Sequence, residues 1–532
     1  MAGRPNFLLI MTDQHRADHL GCYGNRMVRT PNIDKIAAAG VAFDRFYVAS
    51  PICMPNRATL MTGRMPSVHG VRHNGIPLSL DATTFADLLR EAGYRTAMVG
   101  KSHLQNMTGD PAKMPPHQYD PGTPAAADPP RPAVKAPAGR YDQELAGKWR
   151  DDPRHDLDLP FYGFEAVDLA IEHGDEVEGH YTRWLRAQRA DGDSLRGEAN
   201  AEPDDRITAP QAWRTQLPEE LYPTSYVAER AIARLEEFAG SPGRPFFLKC
   251  SFPDPHHPFT PPGRYWGMYD PADIELPASW RFDRDEAPPH VRWLLDQRDA
   301  GKAIKSSPAL FACSEREARE ATALTFGMIT MVDDAVGRIL KRLGELSLAD
   351  NTVVIFTSDH GDYMGDHQLM LKGPIHYQSI VRVAFIWRDP AARVAPGRRP
   401  ALASTLDIAR TVLDRAGVLP FHGMQGRSLL PEIAAAGRLE RDALLIEEEG
   451  QRVYLGFPGR IRVRTLMTKS YRLSVYDGVA WGELYDLQDD PHELSNLWDN
   501  PGHRGLRADL TERLARLMLA NTDTSPYPMG LA

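Results

Sequence analysis

The sequence predicts an α/β protein: a large, mostly parallel sheet sandwiched by helices, with a small C-terminal α+β unit on an antiparallel sheet. Three observations predict this. Short, continuous apolar runs end abruptly in polar clusters, as strands buried on both faces do. Segments with helical apolar spacing alternate with those runs. After about residue 431 the pattern changes to short alternating stretches with a hairpin signal.

Each element has its own justification. Residues 6–12 form an apolar run that ends in Asp13-Gln14-His15. Residues 84–91 carry Phe85, Leu88 and Leu89 on one helical face, with Gly93 as the stop. Residues 94–99 read as a strand, and Gly100-Lys101-Ser102-His103 follows its end. From 105 to 223 the pattern loosens. Pro115-Pro116, Pro129-Pro130 and many Asp and Gly residues predict a loop-rich, substrate-shaping excursion over the surface. Helical order returns at Thr224, with Val227, Ala231, Ile232, Leu235 and Phe238 on one face and Gly240 closing it. A strand at 245–252 runs into Pro253-Asp254-Pro255-His256-His257-Pro258. Ser314 with Glu317 forms a capping box for a helix reaching about Leu343. A strand at 352–357 feeds Ser358-Asp359-His360-Gly361-Asp362. Stretches at 460–466, 471–476 and 483–487, the Asp477-Gly478 turn signal and a helix at 506–519 build the last unit. The division expected is 1–431 and 432–532.

Length and composition bound the function. The chain has 532 residues, 42% apolar and 25% charged, with a net charge of -9. That size calls for one large domain plus a second unit, and the acidic balance argues against a general nucleic-acid binder. No apolar run nears the roughly 18 residues of a membrane span. The run at 7–11 is too short for a signal sequence and reaches Asp13 without a cleavage site. Four scattered cysteines, Cys22, Cys53, Cys250 and Cys313, lack metal-type spacing. They point to a reducing compartment and a cytoplasmic enzyme without a membrane partner.

Four strand ends carry polar clusters: Asp13-Gln14, Lys101 with His103, His256-His257 and Asp359-His360. Each alone reads as well as a capping or surface group. In a parallel sheet, however, all four meet along one edge. Asp13, Gln14, Asp359 and His360 would then suit one divalent cation, Ca²⁺, Mg²⁺ or Mn²⁺, the imidazole leaning toward Mn²⁺. Lys101, His103, His256 and Lys372 add positive charge and titratable protons, as a tetrahedral oxyanion requires. Cys53 opens a predicted helix with Pro55 in its first turn, Arg57 one turn along and Gly63 at its end. Two readings of Cys53 stay open on these grounds: a buried, inert thiol or an activated thiolate. A cysteine-phosphatase loop would place its arginine six positions on, not four, and would need a glycine-rich cradle that is missing here.

Cys53-Met54-Pro55-Asn56-Arg57, with Thr62-Gly63-Arg64 downstream, resembles the C-x-P-x-R signature of the type I, formylglycine-dependent sulfatases. The resemblance covers most of the chain. It takes in Asp13-Gln14, Thr30-Pro31-Asn32-Ile33-Asp34, Gly100-Lys101-Ser102-His103, Pro255-His256-His257-Pro258, Ser358-Asp359-His360-Gly361-Asp362, Lys372-Gly373 and Glu483-Leu484-Tyr485-Asp486-Leu487. It implies an alkaline-phosphatase-like fold. It also implies that a maturation enzyme oxidises Cys53 to formylglycine, the nucleophile for hydrolysis of a sulfate monoester. Carried over, Asp13, Gln14, Asp359 and His360 hold the cation, calcium first and manganese as the alternative. Arg57 supports the hydrated aldehyde, and Lys101 and Lys372 grip the sulfate. His256, with Lys372, protonates the leaving alcohol, and His103 assists proton removal.

The departures are informative. Many family members have Asp at the Gln14 position and Asn at the His360 position. The variant here resembles the choline sulfatase and phosphonate monoester hydrolase branches. Asn74, in His73-Asn74-Gly75, matches an oxyanion-contacting Asn of those branches. The Lys101 and His103 pair, usually missing from phosphonate hydrolases, favours sulfate. A phosphonate monoester or phosphodiester hydrolase is the second reading, and a silent anion- or partner-binding relative the third. Blander expectations cover the rest. His73, Asp366, His367 and His376 are expected in loop packing, with an approach to the substrate as the second reading, and Glu172-His173 and Gly179-His180-Tyr181 either at the substrate mouth or in surface loops. Asp362 should orient its neighbours. Cys22, Cys250 and Cys313 should be structural, and the tail at 521–532 could join subunits into a homo-oligomer.

Overall fold

The computed structural model describes residues 4–111, 138–392 and 394–531. Pro115-Pro116 and Pro129-Pro130 lie outside them. Among the described residues the central sheet has nine strands: β1 (Asn6–Thr12), β2 (Val41–Tyr47), β3 (Arg95–Gly100), β4 (Ala166–Ile171), β5 (Glu178–Gly179), β6 (Phe246–Ser251), β8 (Thr352–Ser358), β10 (Phe385–Arg388) and β11 (Gly397–Ser404). Two short strands, β7 (Phe311–Ala312) and β9 (Leu369–Met370), pair on their own. The sheet order is β11-β2-β10-β8-β1-β6-β3-β4-β5. β8, β1, β6, β3 and β4 run parallel, and β2 and β11 are parallel to each other. β10 and β5 are antiparallel to their neighbours.

The apolar runs form strands because both faces are covered. Phe7, Leu9 and Met11 of β1 pack with Met54, Ala58 and Phe85 on one side. Leu8 and Ile10 pack on the other with Tyr226, Val227, Val332 and Ile339. The covering helices include Cys53–Thr62, Phe85–Glu91 and Asp407–Ala416 on the first face. Pro223–Ala239 and Glu315–Glu345 lie on the second. The expected capping box of Ser314 with Glu317 forms, and Thr84 with Asp87 makes a second. Alternation along β1 therefore decides which helix layer each residue meets.

Residues 138–223 of the excursion are more ordered than expected. It contributes β4 and β5 to the sheet and the helices Ala146–Asp151 and His180–Gln188. β4 escapes local reading because Asp168 interrupts its apolar pattern. Arg230 and Arg234 neutralise that carboxylate at 2.9 and 2.7 Å from the helix Pro223–Ala239.

A second, four-stranded antiparallel sheet orders β12 (Ala443–Glu449), β13 (Arg462–Thr468), β14 (Tyr471–Tyr476) and β15 (Gly482–Asp486) in sequence. β12 had no predicted counterpart. Leu466, Leu473 and Leu484 pack under Leu510 and Leu514 of the closing helix Arg504–Ala520. Val463, Met467 and Tyr485 join the main core. Arg472 sits fully buried between Glu483, at 2.9 Å, and Glu493. The tail folds onto its own chain: Arg64 bonds Asp523 at 2.5 Å and Ser525 at 3.0 Å, and Tyr527 stacks on His422. Among the described residues, no helix is long and apolar enough to cross a membrane.

Candidate active site

The carboxyl ends of β1, β2, β3, β4, β6 and β8 meet at one place, the edge where open parallel sheets gather ligands. Asp13 follows β1, Lys101 follows β3, and Asp359 follows β8. From the end of β2 the chain passes through 48–52 into the helix that Cys53 opens. Gly100, at a φ of 96°, makes the turn into Lys101; a Cβ there would lie 1.9 Å from the Ser251 carbonyl oxygen. Gln14 and His103 both hold a φ of 58° without being glycine, strain of the kind found at functional sites.

Cys53 is buried, and its Sγ lies 3.0 Å from His360 Nε2, 3.0 Å from Lys372 Nζ and 3.9 Å from Asp13 Oδ1. Arg57 clamps both carboxylates: Nε donates to Asp359 Oδ2 at 2.8 Å and Nη2 to Asp13 Oδ2 at 3.1 Å. Its Nη1 donates to the Lys101 carbonyl and to Ser251 Oγ. Lys101 Nζ donates to Asp13 and touches His173. Lys372 Nζ also lies 3.0 Å from Gln14 Oε1 and 2.7 Å from His256 Nε2. Asn74 Oδ1 accepts from the Met54 backbone at 3.1 Å, just inside the helix start.

Electrostatics follow from this crowding. Burial alone would raise the Asp13 carboxyl, but Lys101, Arg57 and Lys372 hold it well below the usual range. Burial and Asp13 push the Cys53 thiol up, yet Lys372, His360 and Lys101 outweigh them and the net shift is downward. Burial, Lys101 and Arg57 hold His103 well below its ordinary value. Burial, His173 and Lys372 do the same to His256.

Donor atoms of Asp13, Cys53, Asp359 and His360 all lie within 4.8 Å of one another. Two carboxylates and an imidazole, all buried around one point, are chemically matched to a divalent cation. Gln14 borders this group: its backbone N–H donates to Asp359 Oδ1 at 3.0 Å. Asp362 accepts from the Gln14 side chain and from the backbone of Met364 and Leu371, so it does hold its neighbours in place.

The remaining candidates divide. His173, at the end of β4, stacks on His256 with ring centroids 3.5 Å apart and so belongs to the site. His180 instead bonds Asp156 at 3.1 Å and packs on Trp149. His376 bonds Thr465 and Glu448, His367 stacks on Tyr377, and Asp366 pairs with Arg16; all three serve packing. His73 bonds the Asn74 carbonyl. Cys22, Cys250 and Cys313 are free thiols.

Two contributors went unread in the sequence. Glu144 accepts from the backbone of His103 at 2.6 Å, Leu104 and Gln105 and from Ser102, fixing the turn that carries Lys101. Lys249, buried in β6, donates to the Lys101 carbonyl at 3.3 Å, and burial pulls its ammonium down to about 7. A lone glutamate in a loop-rich stretch and a lysine inside a strand give no local signal.

Comparison with known proteins adds relatives of the whole chain. The sulfatase family model matches residues 5–418, and the C-terminal model of N-sulphoglucosamine sulphohydrolase matches 365–520. An arylsulfatase of Clostridium perfringens is 28% identical over 93% of this chain and 90% of its own. A choline-sulfatase of Rhizobium meliloti is 26% identical over 94% of this chain and 83% of its own. The crystal structure of the phosphonate monoester hydrolase of Agrobacterium radiobacter superposes with a TM-score of 0.75, at 27% identity over 98% of this chain and 96% of that one. With its alkaline-phosphatase-like sheet, its Cys53 helix and a family match across more than three-quarters of its length, the chain belongs to the sulfatase family.

Proposed function

We propose that the chain hydrolyses a sulfate monoester, with Cys53 in its formylglycine form as the source of the nucleophile. One observation carries this reading: Cys53 sits at a helix start between Lys372, His360 and Asp13, where an attacking oxygen would face both cations and carboxylates. The thiol itself suits this place poorly, because a soft sulfur beside hard oxygen donors is a weak partner for both. Oxidised by a maturation enzyme and hydrated, the side chain supplies a geminal diol that attacks as an oxygen nucleophile and is regenerated without a second attack at sulfur.

Asp13, Gln14, Asp359 and His360 would hold the cation, calcium first and manganese second. When bound, it supplies Lewis-acid stabilisation of charge on the ester oxygens. The other roles follow from position. Arg57, pinned by two aspartates, keeps the carboxylates ionised and correctly spaced. Lys101 and Lys372 neutralise the sulfate oxygens, and Asn74 stands by the helix start as a further contact. His256, held well below its ordinary value and 2.7 Å from the Lys372 ammonium, would protonate the leaving alcohol oxygen with a proton drawn from Lys372. His103 accepts the proton released from position 53; its Nδ1 has no hydrogen-bond partner among the described residues.

A phosphonate monoester or phosphodiester hydrolase is the second reading, favoured by Gln14, His360 and the structural likeness to the phosphonate enzyme. A silent relative is the remote third. Four free thiols support a reducing, cytoplasmic setting, and assembly into a homo-oligomer completes the proposal. The test pairs mass analysis of the Cys53 peptide, after co-expression with a maturation enzyme, with parallel assays on an aryl sulfate, an aryl phosphodiester and a phosphonate monoester. Loss of the sulfur and highest kcat/KM on the sulfate are expected. A fully retained sulfur in an active enzyme rejects formylglycine, and a higher kcat/KM on a phosphorus ester reverses the order.

A further inference from the structure

A cavity of about 650 Å³ opens away from Cys53, between β2, the turn at 377–382 and the C-terminal segment at 487–493. None of the residues proposed for chemistry lines it. Its charges are unevenly committed. The acids on its wall already have partners: Asp18 and Asp366 pair with Arg16 at 2.6 Å, Asp44 pairs with Arg398, and Glu493 pairs with Arg472. Apart from Arg16, the bases do not. Among the described residues Arg45 donates only to the Pro400 carbonyl at 3.2 Å, and Arg382 only to the Asp44 carbonyl at 3.5 Å. Lys469 joins them on the opposite wall, and none of the three forms an ion pair among the described residues.

Three cations without ion pairs around one cavity point to a ligand that carries anionic acceptors. Arg45 and Arg382 approach from the sheet side and Lys469 from the C-terminal unit, so the charge to be met is spread over two walls.

We infer that this cavity is a second binding site, separate from the catalytic one, for a small molecule carrying two anionic groups. Phosphoryl and sulfated-sugar ligands share that chemistry. Each guanidinium can fork onto one oxyanion, and the lysine meets the other end. The inference does not rest on the sulfatase reading, because the site shares no residue with it.

The test is calorimetric titration of the full chain with inorganic pyrophosphate and, separately, with a disulfated disaccharide. Wild-type protein is compared with Arg382→Ala and with the double variant Arg45→Ala/Lys469→Ala. A site present once per chain is expected, weakened about tenfold by each cation removed. Hydrolysis of an aryl sulfate in the absence of either probe should match wild type. The arm that gives the tighter site identifies the ligand class. Variant isotherms that superimpose on wild type would overturn the inference, as would no heat from either probe. A changed sedimentation coefficient in the variants without a change in binding would also overturn it, because a second copy of the chain would then cover the cavity. The double variant guards against loss of folding in Arg382→Ala alone.

Discussion

Replacing Lys372 by alanine separates charge stabilisation from proton delivery. Its ammonium lies 3.0 Å from Cys53 Sγ and 2.7 Å from His256 Nε2. At an effective dielectric of about 20, unit charges at that separation interact by about 5–6 kcal/mol. Lys101 and Arg57 share the same anion, so the loss should be nearer about 3–4 kcal/mol, or 10²–10³-fold in kcat/KM, as for one preorganised donor elsewhere. Stability should hardly move, because Asp13 and Asp359 keep their bonds to Arg57. The assay is kcat/KM for Lys372→Ala across aryl sulfates whose phenols differ in acidity, with denaturant midpoints alongside. If Lys372 works with His256 on the leaving oxygen, the deficit grows as the phenol becomes less acidic. A loss smaller than tenfold, or one independent of the leaving group, would refute this assignment.

Three further outcomes are expected. His173→Ala should lower kcat/KM about tenfold and change the pH profile, because His256 loses its stacking partner; His173→Gln should restore part of the rate, and unchanged kinetics would place His173 outside the reaction. Arg472→Met should destabilise the chain by about 3–5 kcal/mol, read from urea midpoints, because it strands Glu483 and Glu493 in a dry interior; an unchanged midpoint refutes that. Burial raises the Asp254 carboxyl to about 7, so the folded chain holds a proton that the unfolded chain has released above about pH 4. Stability should fall as pH rises through that window, and Asp254→Asn should flatten the profile; equal slopes for the two proteins would count against it.

What local reading reached and what it missed have physical causes. β1 and β8 were legible because both faces of each strand meet helices, leaving unbroken apolar runs. The capping box at Ser314 was legible because its chemistry lies within four residues. β4 was hidden because Asp168 is neutralised by Arg230 and Arg234, more than sixty residues away. The convergence of Asp13, Lys101, His256 and Asp359 followed from parallel topology alone. Lys372 had no strand end to mark it and was grouped with Lys101, His103 and His256 for its charge; only the folded chain sets it against Cys53, Gln14 and His256. Glu144 and Lys249 support the site through backbone contacts that only the folded chain brings together.

Every residue of the helix Cys53–Thr62 is buried. A visiting enzyme could not grasp that segment in the finished protein without unfolding it. If position 53 is oxidised as proposed, the change would have to come early, while the segment is still a loose ribbon, and a molecule that folded too soon would keep its sulfur.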